Sequence, residues 1–137
     1  MQDVLSALIT HYLTVSAITD LVSTRVFGGR LPDDQVADMP RKCIVLTYAG
    51  GLSQFRTHRL QQPRIDHFSY GEDPLEAGRV DRAVCDALIA ISRLDVNDTL
   101  LHSAAYSDGP YPGVEPEAGW DFMRRAATIK AGETTTA

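Results

Sequence analysis

The chain has 137 residues, of which 44% are hydrophobic and 23% are charged, and its formal net charge is -5. These values are ordinary for one soluble globular domain, and the acidic balance argues against a general binder of nucleic acids. No apolar run approaches the roughly 20 residues that cross a bilayer, and the N-terminus lacks the basic start of a signal peptide, so the composition predicts folding in the cytoplasm without a membrane.

The first predicted element is an amphipathic helix. Its apolar side chains recur three and four positions apart, at Val4, Leu5, Leu8, Ile9, Tyr12 and Leu13. Ser16 is a suitable cap for a further turn or two of helix that ends near Val22. The chain then leaves helix at Arg25, and the low hydrophobicity of residues 31–40 predicts an irregular surface connection.

Four segments carry the signals of β-strands, and they are residues 43–48, 64–70, 100–106 and 120–129. The first segment is nearly continuous in apolar residues, which is typical of a central strand covered on both faces. In the second, alternation sends Asp66 and His67 to opposite faces and leaves neither face purely apolar, which favours an edge or an interface. Alternation also separates Arg124 from Arg125, so these two arginines cannot form one basic patch.

A second main helix follows a clear start signal. Asp73 is placed to cap the helix, Pro74 suits the first helical position, and Glu76 completes a capping-box-like arrangement. The predicted packed side consists of Ala77, Val80, Val84, Ala87, Leu88 and Ile91, and the predicted solvated side of Glu76, Arg79, Asp81, Arg82 and Asp86.

Residues 107–119 hold three prolines and three glycines between two predicted strands. A connection of this length usually has a function, and Tyr111 and Trp120 give it apolar anchors that pack either on the same domain or on another subunit. Together the elements predict an α+β fold, in which two main helices pack on a mostly antiparallel or mixed four-stranded sheet. Residues 1–130 form this single domain, and residues 131–137, which are small and polar, form a flexible C-terminal tail.

No catalytic or metal-binding pattern accompanies this fold. The histidines and the two cysteines lack the paired spacing of a zinc site, and the chain has no phosphate loop, nucleophile elbow or zinc-protease helix motif. We therefore expect no enzymatic activity, no catalytic residue, no metal and no cofactor. Cys43 and Cys85 are expected to be free thiols, and His67 is expected to be a structural histidine.

Several short motifs occur in an order that resembles one protein family. The motifs are the Leu5-x-x-Leu8 helix, Leu21-Val22-x-x-Arg25-Val26-Phe27, Leu31-Pro32, a strand ending near Tyr48, Arg64-Ile65-Asp66, a helix with Glu76-Ala77 and Ala87-Leu88, and Gly119-Trp120-Asp121-Phe122. Over nearly the whole chain, their order and spacing resemble the tail terminator, or tail completion, proteins of long-tailed bacteriophages and related prophages.

The resemblance implies a structural role in the virion. Proteins of this family are small α/β subunits that form a hexameric ring at the head-proximal end of the tail tube, where the ring stops tube polymerisation and offers a surface to the head. The implied partners are further copies of the chain, the tail tube protein and the head-closure or neck protein. Non-specific contact with DNA in the ring lumen is left open, and no catalytic residue or cofactor comes with the family. Assembly is expected in the host cytoplasm.

A closed ring requires two unlike patches on each subunit that match one another. The residues expected in subunit or tube contacts are Arg25, Arg30, Arg64, Asp66, Tyr111 and Trp120. Reversing these charges without altering ring assembly and tail length would contradict the hypothesis. The alternatives are a head-closure or other neck connector of the same virion, a DNA-binding module with its arginines on one surface, and a small hydrolase or transferase with reactive groups converging in a cleft.

Overall fold

The computed structural model describes residues 3–53 and 60–133, and these residues form one sheet with helices packed against it. The elements are helices α1 (Val4–Tyr12) and α2 (Ser16–Val22), strand β1 (Val26–Gly28), helix α3 (Asp33–Val36), strands β2 (Cys43–Ser53) and β3 (Leu60–Gly71), helix α4 (Pro74–Ile89), and strands β4 (Ser92–Val96), β5 (Thr99–Val114) and β6 (Asp121–Glu133). The strand order is β1-β2-β3-β6-β5-β4. Strands β1 and β2 are parallel, and the other described pairs are antiparallel.

The predicted four-stranded sheet with two main helices is wrong, because the described residues form six strands and four helices. The two unpredicted strands are short: β1 has three residues, and β4 has five, most of them polar. Segments of this length show too little alternation to be distinguished from a turn. Helix α3 has four residues and lies inside residues 31–40, for which an irregular connection was expected.

The predicted start of the long helix is confirmed. The Asp73 side chain accepts a hydrogen bond from the Glu76 amide at 2.8 Å, and the Glu76 carboxylate accepts one from the Glu72 amide at 3.1 Å. Gly71 allows α4 to begin directly against the end of β3, since a Cβ at this position would lie 2.5 Å from the Ala77 amide nitrogen. The N-terminus of α4 is therefore fixed against β3 by the two capping hydrogen bonds and by the close packing at Gly71.

Helices α1, α2 and α4 cover one face of the sheet and bury the main core there. Asp3 caps α1 by accepting from the Ser6 amide at 3.0 Å, and the Tyr48 hydroxyl of β2 donates to the same Asp3 carboxylate at 3.1 Å. Among the described helices, none alone is long and apolar enough to cross a membrane, and α1 with α2 passes that test only as a pair bent by 84°. The apolar residues of both helices form part of the core.

A buried hydrogen-bonded pair joins α1 to β3 beneath this layer. His67 is fully buried, and its Nε2 lies 2.8 Å from the Tyr12 hydroxyl while its Nδ1 lies 3.1 Å from the Ile65 carbonyl oxygen. Because a carbonyl only accepts, Nδ1 carries the proton and Nε2 accepts from Tyr12. Burial lowers the pKa of His67 to about 4, so the side chain is neutral and has a structural role.

A buried ion pair joins α4 to β6. Arg125 donates to the two carboxylate oxygens of Asp81 at 2.9 and 2.7 Å, and the two residues are only 8% and 3% exposed. The placement of Asp81 on the solvated side of the helix is therefore wrong. The expected separation of the two arginines is confirmed, because Arg125 points to the helices and Arg124 to the opposite face, where it pairs with Asp66.

The proline-rich segment is mostly strand. Strand β5 continues to Val114 and pairs with β6 through three register irregularities, so the connection between them is residues 115–120 and the predicted loop over residues 107–119 is wrong for its first part. Strand β6 runs to Glu133 and buries Ala131, which places the predicted boundary between residues 130 and 131 inside a strand. Residues 134–137 of the predicted tail lie outside the described residues.

Candidate interaction surface

The face of the sheet that α1, α2 and α4 leave uncovered, here called the open face, presents unlike chemistry at its two ends. Residues paired across neighbouring strands point to the same face. Three such rows form the open face: Cys43, Tyr70, Phe122 and Gly113; Phe27, Val45, Phe68, Arg124 and Tyr111; and Thr47, Asp66, Ala126 and Asp108. The first row carries two aromatic side chains, Tyr70 and Phe122, and no charge, whereas the last row carries two charged side chains, Asp66 and Asp108, and no aromatic one.

The aromatic end is closely packed. Phe68 and Phe122 meet edge to face with ring centroids 5.4 Å apart, and Tyr70 meets Trp120 in the same manner at 6.5 Å. Gly113 accommodates this packing, because a Cβ there would lie 2.5 Å from the ring of Phe122. Cys43 is buried in the same cluster, and burial raises the pKa of its thiol to about 11, so the thiol is protonated and inert at neutral pH.

A cavity of about 270 Å³, here called the aromatic cavity, opens beside these rings. It is lined by Gly29, Arg30, Leu31, Val45, Thr47, Phe68, Tyr70, Glu115 and Trp120. Typical small-molecule pockets begin at roughly 300 Å³, so this volume suits a single inserted side chain better than a cofactor.

The two charged residues of the aromatic cavity differ in their pairing. The Tyr70 hydroxyl donates to the Glu115 carboxylate at 2.6 Å, and burial together with this hydrogen bond raises the pKa of Tyr70. Arg30 is exposed at the rim and forms no ion pair within the described residues. The cavity therefore offers aromatic walls, one carboxylate already engaged, and one guanidinium free to bind an anion.

Four residues form a charged cluster beyond the cavity. Arg124 lies 3.2 Å from a carboxylate oxygen of Asp66, and Arg64 lies 3.4 Å from one of Asp108. The Tyr111 hydroxyl also donates to Asp108, and this hydrogen bond lowers the pKa of Asp108. Irregularities in the β5 register bring Asp108 and Tyr111 onto one face although they are three positions apart. The charges balance, so the cluster is polar without being basic.

The comparisons with known proteins bear on the fold. No protein-family model and no curated protein matches the sequence. A chain in a solved structure of the virion of a native gene transfer agent particle matches with a TM-score of 0.66 at 15% sequence identity, over 94% of this chain and 94% of that one. The two chains share a fold. The likeness extends over almost the whole length of both chains.

The structure brings most of the predicted contact residues onto the open face. Arg64, Asp66 and Tyr111 belong to or adjoin the charged cluster, and Arg30 and Trp120 line the aromatic cavity. Arg25 is separate, because its Nε donates to the Lys42 carbonyl oxygen at 2.8 Å near the β1 end of the sheet. Strand β3 lies between β2 and β6, so its mixed faces do not mark an edge.

Seven of the nine cavity residues were not among the predicted contacts, and the most informative of these are Phe68, Tyr70 and Glu115. Alternation in β3 already placed Phe68 and Tyr70 beside Asp66, which was a usable signal. No local pattern indicates that Glu115 turns back onto Tyr70, since the two are 45 positions apart. Within the described residues, no three His, Cys, Asp or Glu side chains are arranged to hold a metal ion. What this surface offers chemically is shape, aromatic area and paired charge.

Proposed function

We propose that this chain is a structural virion protein whose copies close into a hexameric ring at the head-proximal end of a phage tail tube. The ring ends tube polymerisation and provides the surface that joins the tail to the head or neck. The observation that carries the proposal is the fold shared over 94% of both chains with a protein of a virion. The order of the tail-terminator-like motifs in the sequence supports the finer assignment to the end of the tail.

The two faces of the molecule fit the requirement of a ring. A ring needs a heterologous interface, in which one patch on a subunit binds a different patch on the next. The open face combines aromatic side chains with balanced charges, whereas the opposite side presents the outer surface of α4, where Arg79, Arg82 and Asp86 are exposed. Aromatic side chains and arginine are enriched in specific protein interfaces, and the open face carries both.

The partners follow from the position of the ring. One rim binds the last layer of the tail tube protein, and the other rim binds a head-closure or neck protein, so growth stops because the outer rim does not match another tube subunit. Any contact of the ring lumen with passing DNA is without sequence preference in this proposal. A net charge of -5 disfavours tight binding to a polyanion, and no enzymatic step is part of this role.

Electron microscopy of particles assembled without this chain tests the proposal. We expect filled heads that lack tails, together with unattached tails longer than in the complete particle, and we expect expression of the chain in trans to restore both. Free tails of normal length beside heads that leak DNA would assign the chain to head closure instead. Particles of normal form and infectivity would contradict a structural role.

A further inference from the structure

Leu75 is the most exposed large hydrophobic residue in the described part of the chain, with 76% of its surface accessible. It occupies the first turn of α4, on the helix-covered side of the sheet. A single exposed leucine is common in proteins and carries no information alone. This one, however, has acidic residues close to it in the sequence, Glu72 three positions before and Glu76 one position after, and Glu72 is exposed.

The aromatic cavity on the open face has the complementary properties. Its volume suits one side chain, its walls are Phe68, Tyr70 and Trp120, and its exposed cation, Arg30, has no acidic partner within the described residues. An apolar side chain flanked by carboxylates matches this combination in both shape and charge.

The two features lie at the same end of the sheet but on opposite faces. Tyr70 is a wall of the cavity, and the chain passes from it through Gly71 to Leu75 in the first turn of α4. When the open face of one copy packs against the helix layer of another, the cavity and the leucine therefore meet at the same level. Such a contact is heterologous and leaves a free cavity at one end of the assembly and a free leucine at the other, so it repeats, and it closes a ring when the rotation between neighbouring copies divides a full turn.

We infer that Leu75 of one copy inserts into the aromatic cavity of the next copy, and that Glu72 of the first copy faces Arg30 of the second. The inference rests on the proposed ring and names its subunit contact. Leu75 supplies the apolar anchor, and the Glu72–Arg30 pair at the rim fixes the orientation of the two copies.

Leu75→Ser tests the anchor. Burying a leucine side chain contributes enough free energy that removing it weakens each contact by about tenfold or more. The concentration at which rings form should therefore rise by at least that factor. Ile89→Ser is the matched control, because Ile89 is 67% exposed near the other end of α4 and lies outside the proposed contact. Both substituted residues are exposed, so both variants leave the core intact. Ring formation is measured by native mass measurement over a dilution series, with and without tube protein.

A charge exchange tests the orientation. Arg30→Glu and Glu72→Arg each place like charges together, so each variant alone forms fewer rings than the wild type. An equimolar mixture of the two variants restores assembly, because every contact between unlike copies again pairs opposite charges, and six subunits can alternate around the ring.

The outcomes separate this contact from the proposed function. Rings that form normally from the Leu75→Ser and Arg30→Glu variants would overturn the contact and leave the ring in place. A mixture of Arg30→Glu and Glu72→Arg that assembles no better than its components would overturn the pairing of these two residues. Wild-type protein that forms no ring, alone or with tube protein, would overturn the proposed function together with its contact.

Discussion

Acid should destabilise the fold through His67, because this imidazole is buried without a counter-ion bonded to it. Burial lowers its pKa from 6.5 to about 4. Between these two values the unfolded chain binds a proton that the folded chain does not, so the free energy of unfolding falls as the pH falls through this window. Linkage gives a loss of about 2 kcal/mol near pH 5 and about 3 kcal/mol once the folded state is also protonated.

The contribution of His67 can be isolated by urea unfolding. The free energy of unfolding is measured for the wild type and for His67→Gln at about pH 8 and about pH 5, at one protein concentration. Other titrating groups cancel in the comparison, so the wild type should lose about 2 kcal/mol more than the variant between the two conditions. Tyr12→Phe is the control: it removes the hydroxyl and lowers stability by about 1 kcal/mol at both pH values, but it keeps His67 buried and therefore keeps the pH dependence. Equal pH dependence in the wild type and His67→Gln, or an NMR titration of His67 with its midpoint at the value of a free histidine, would refute the reasoning.

Three further predictions concern the core and its thiols. Asp81→Ala should cost about 3 to 5 kcal/mol in urea unfolding, because it leaves the Arg125 guanidinium buried without its carboxylate, and a loss below about 1 kcal/mol would contradict that pairing. Gly71→Ala should lower stability by about 1 to 3 kcal/mol because its Cβ meets backbone. Gly78→Ala, inside α4, should raise stability by about 0.5 to 1 kcal/mol, because a Cβ there makes only an ordinary contact with the Met123 side chain at 3.9 Å, and equal effects of the two substitutions would count against the close approach at Gly71. In native protein near neutral pH, a thiol reagent should modify at most one of the two cysteines rapidly, and mass mapping that found Cys43 modified would show that its burial is misplaced.

Local signals predicted the elements that are specified locally. The start of α4 follows from Asp73, Pro74 and Glu76, whose hydrogen-bonding roles span only a few positions. The opposite directions of Arg124 and Arg125 follow from strand alternation alone. Features of this kind depend on neighbours along the chain, so the order of residues is sufficient to find them.

Features that depend on distant partners could not be found in this way. Asp81 fits the polar side of a helix until Arg125, 44 positions away, is placed beneath it. The first part of residues 107–119 is strand because β6 supplies its hydrogen bonds, although its prolines and glycines are typical of a loop. Strands β1 and β4 are short enough that their place in the sheet is decided by β2 and β5.

The same division holds for the interaction surface. Charged and aromatic residues could be chosen as contact candidates from their positions beside strands and loops, and Arg64 and Asp66 do lie on the open face. The aromatic cavity, in contrast, is formed where Glu115 and Trp120 contact residues of β3 that are distant in the sequence. These contacts exist only in the folded sheet, so no local pattern predicts the cavity.

Native mass measurement of the purified chain, alone and mixed with tube protein, tests the central claim most directly. Six copies of a 15.0 kDa subunit should give a closed species of about 90 kDa, either in solution or on addition of the tube protein, since some rings form only on their partner. A subunit that stays at 15.0 kDa under both conditions would contradict the ring, and with it the role assigned to the open face.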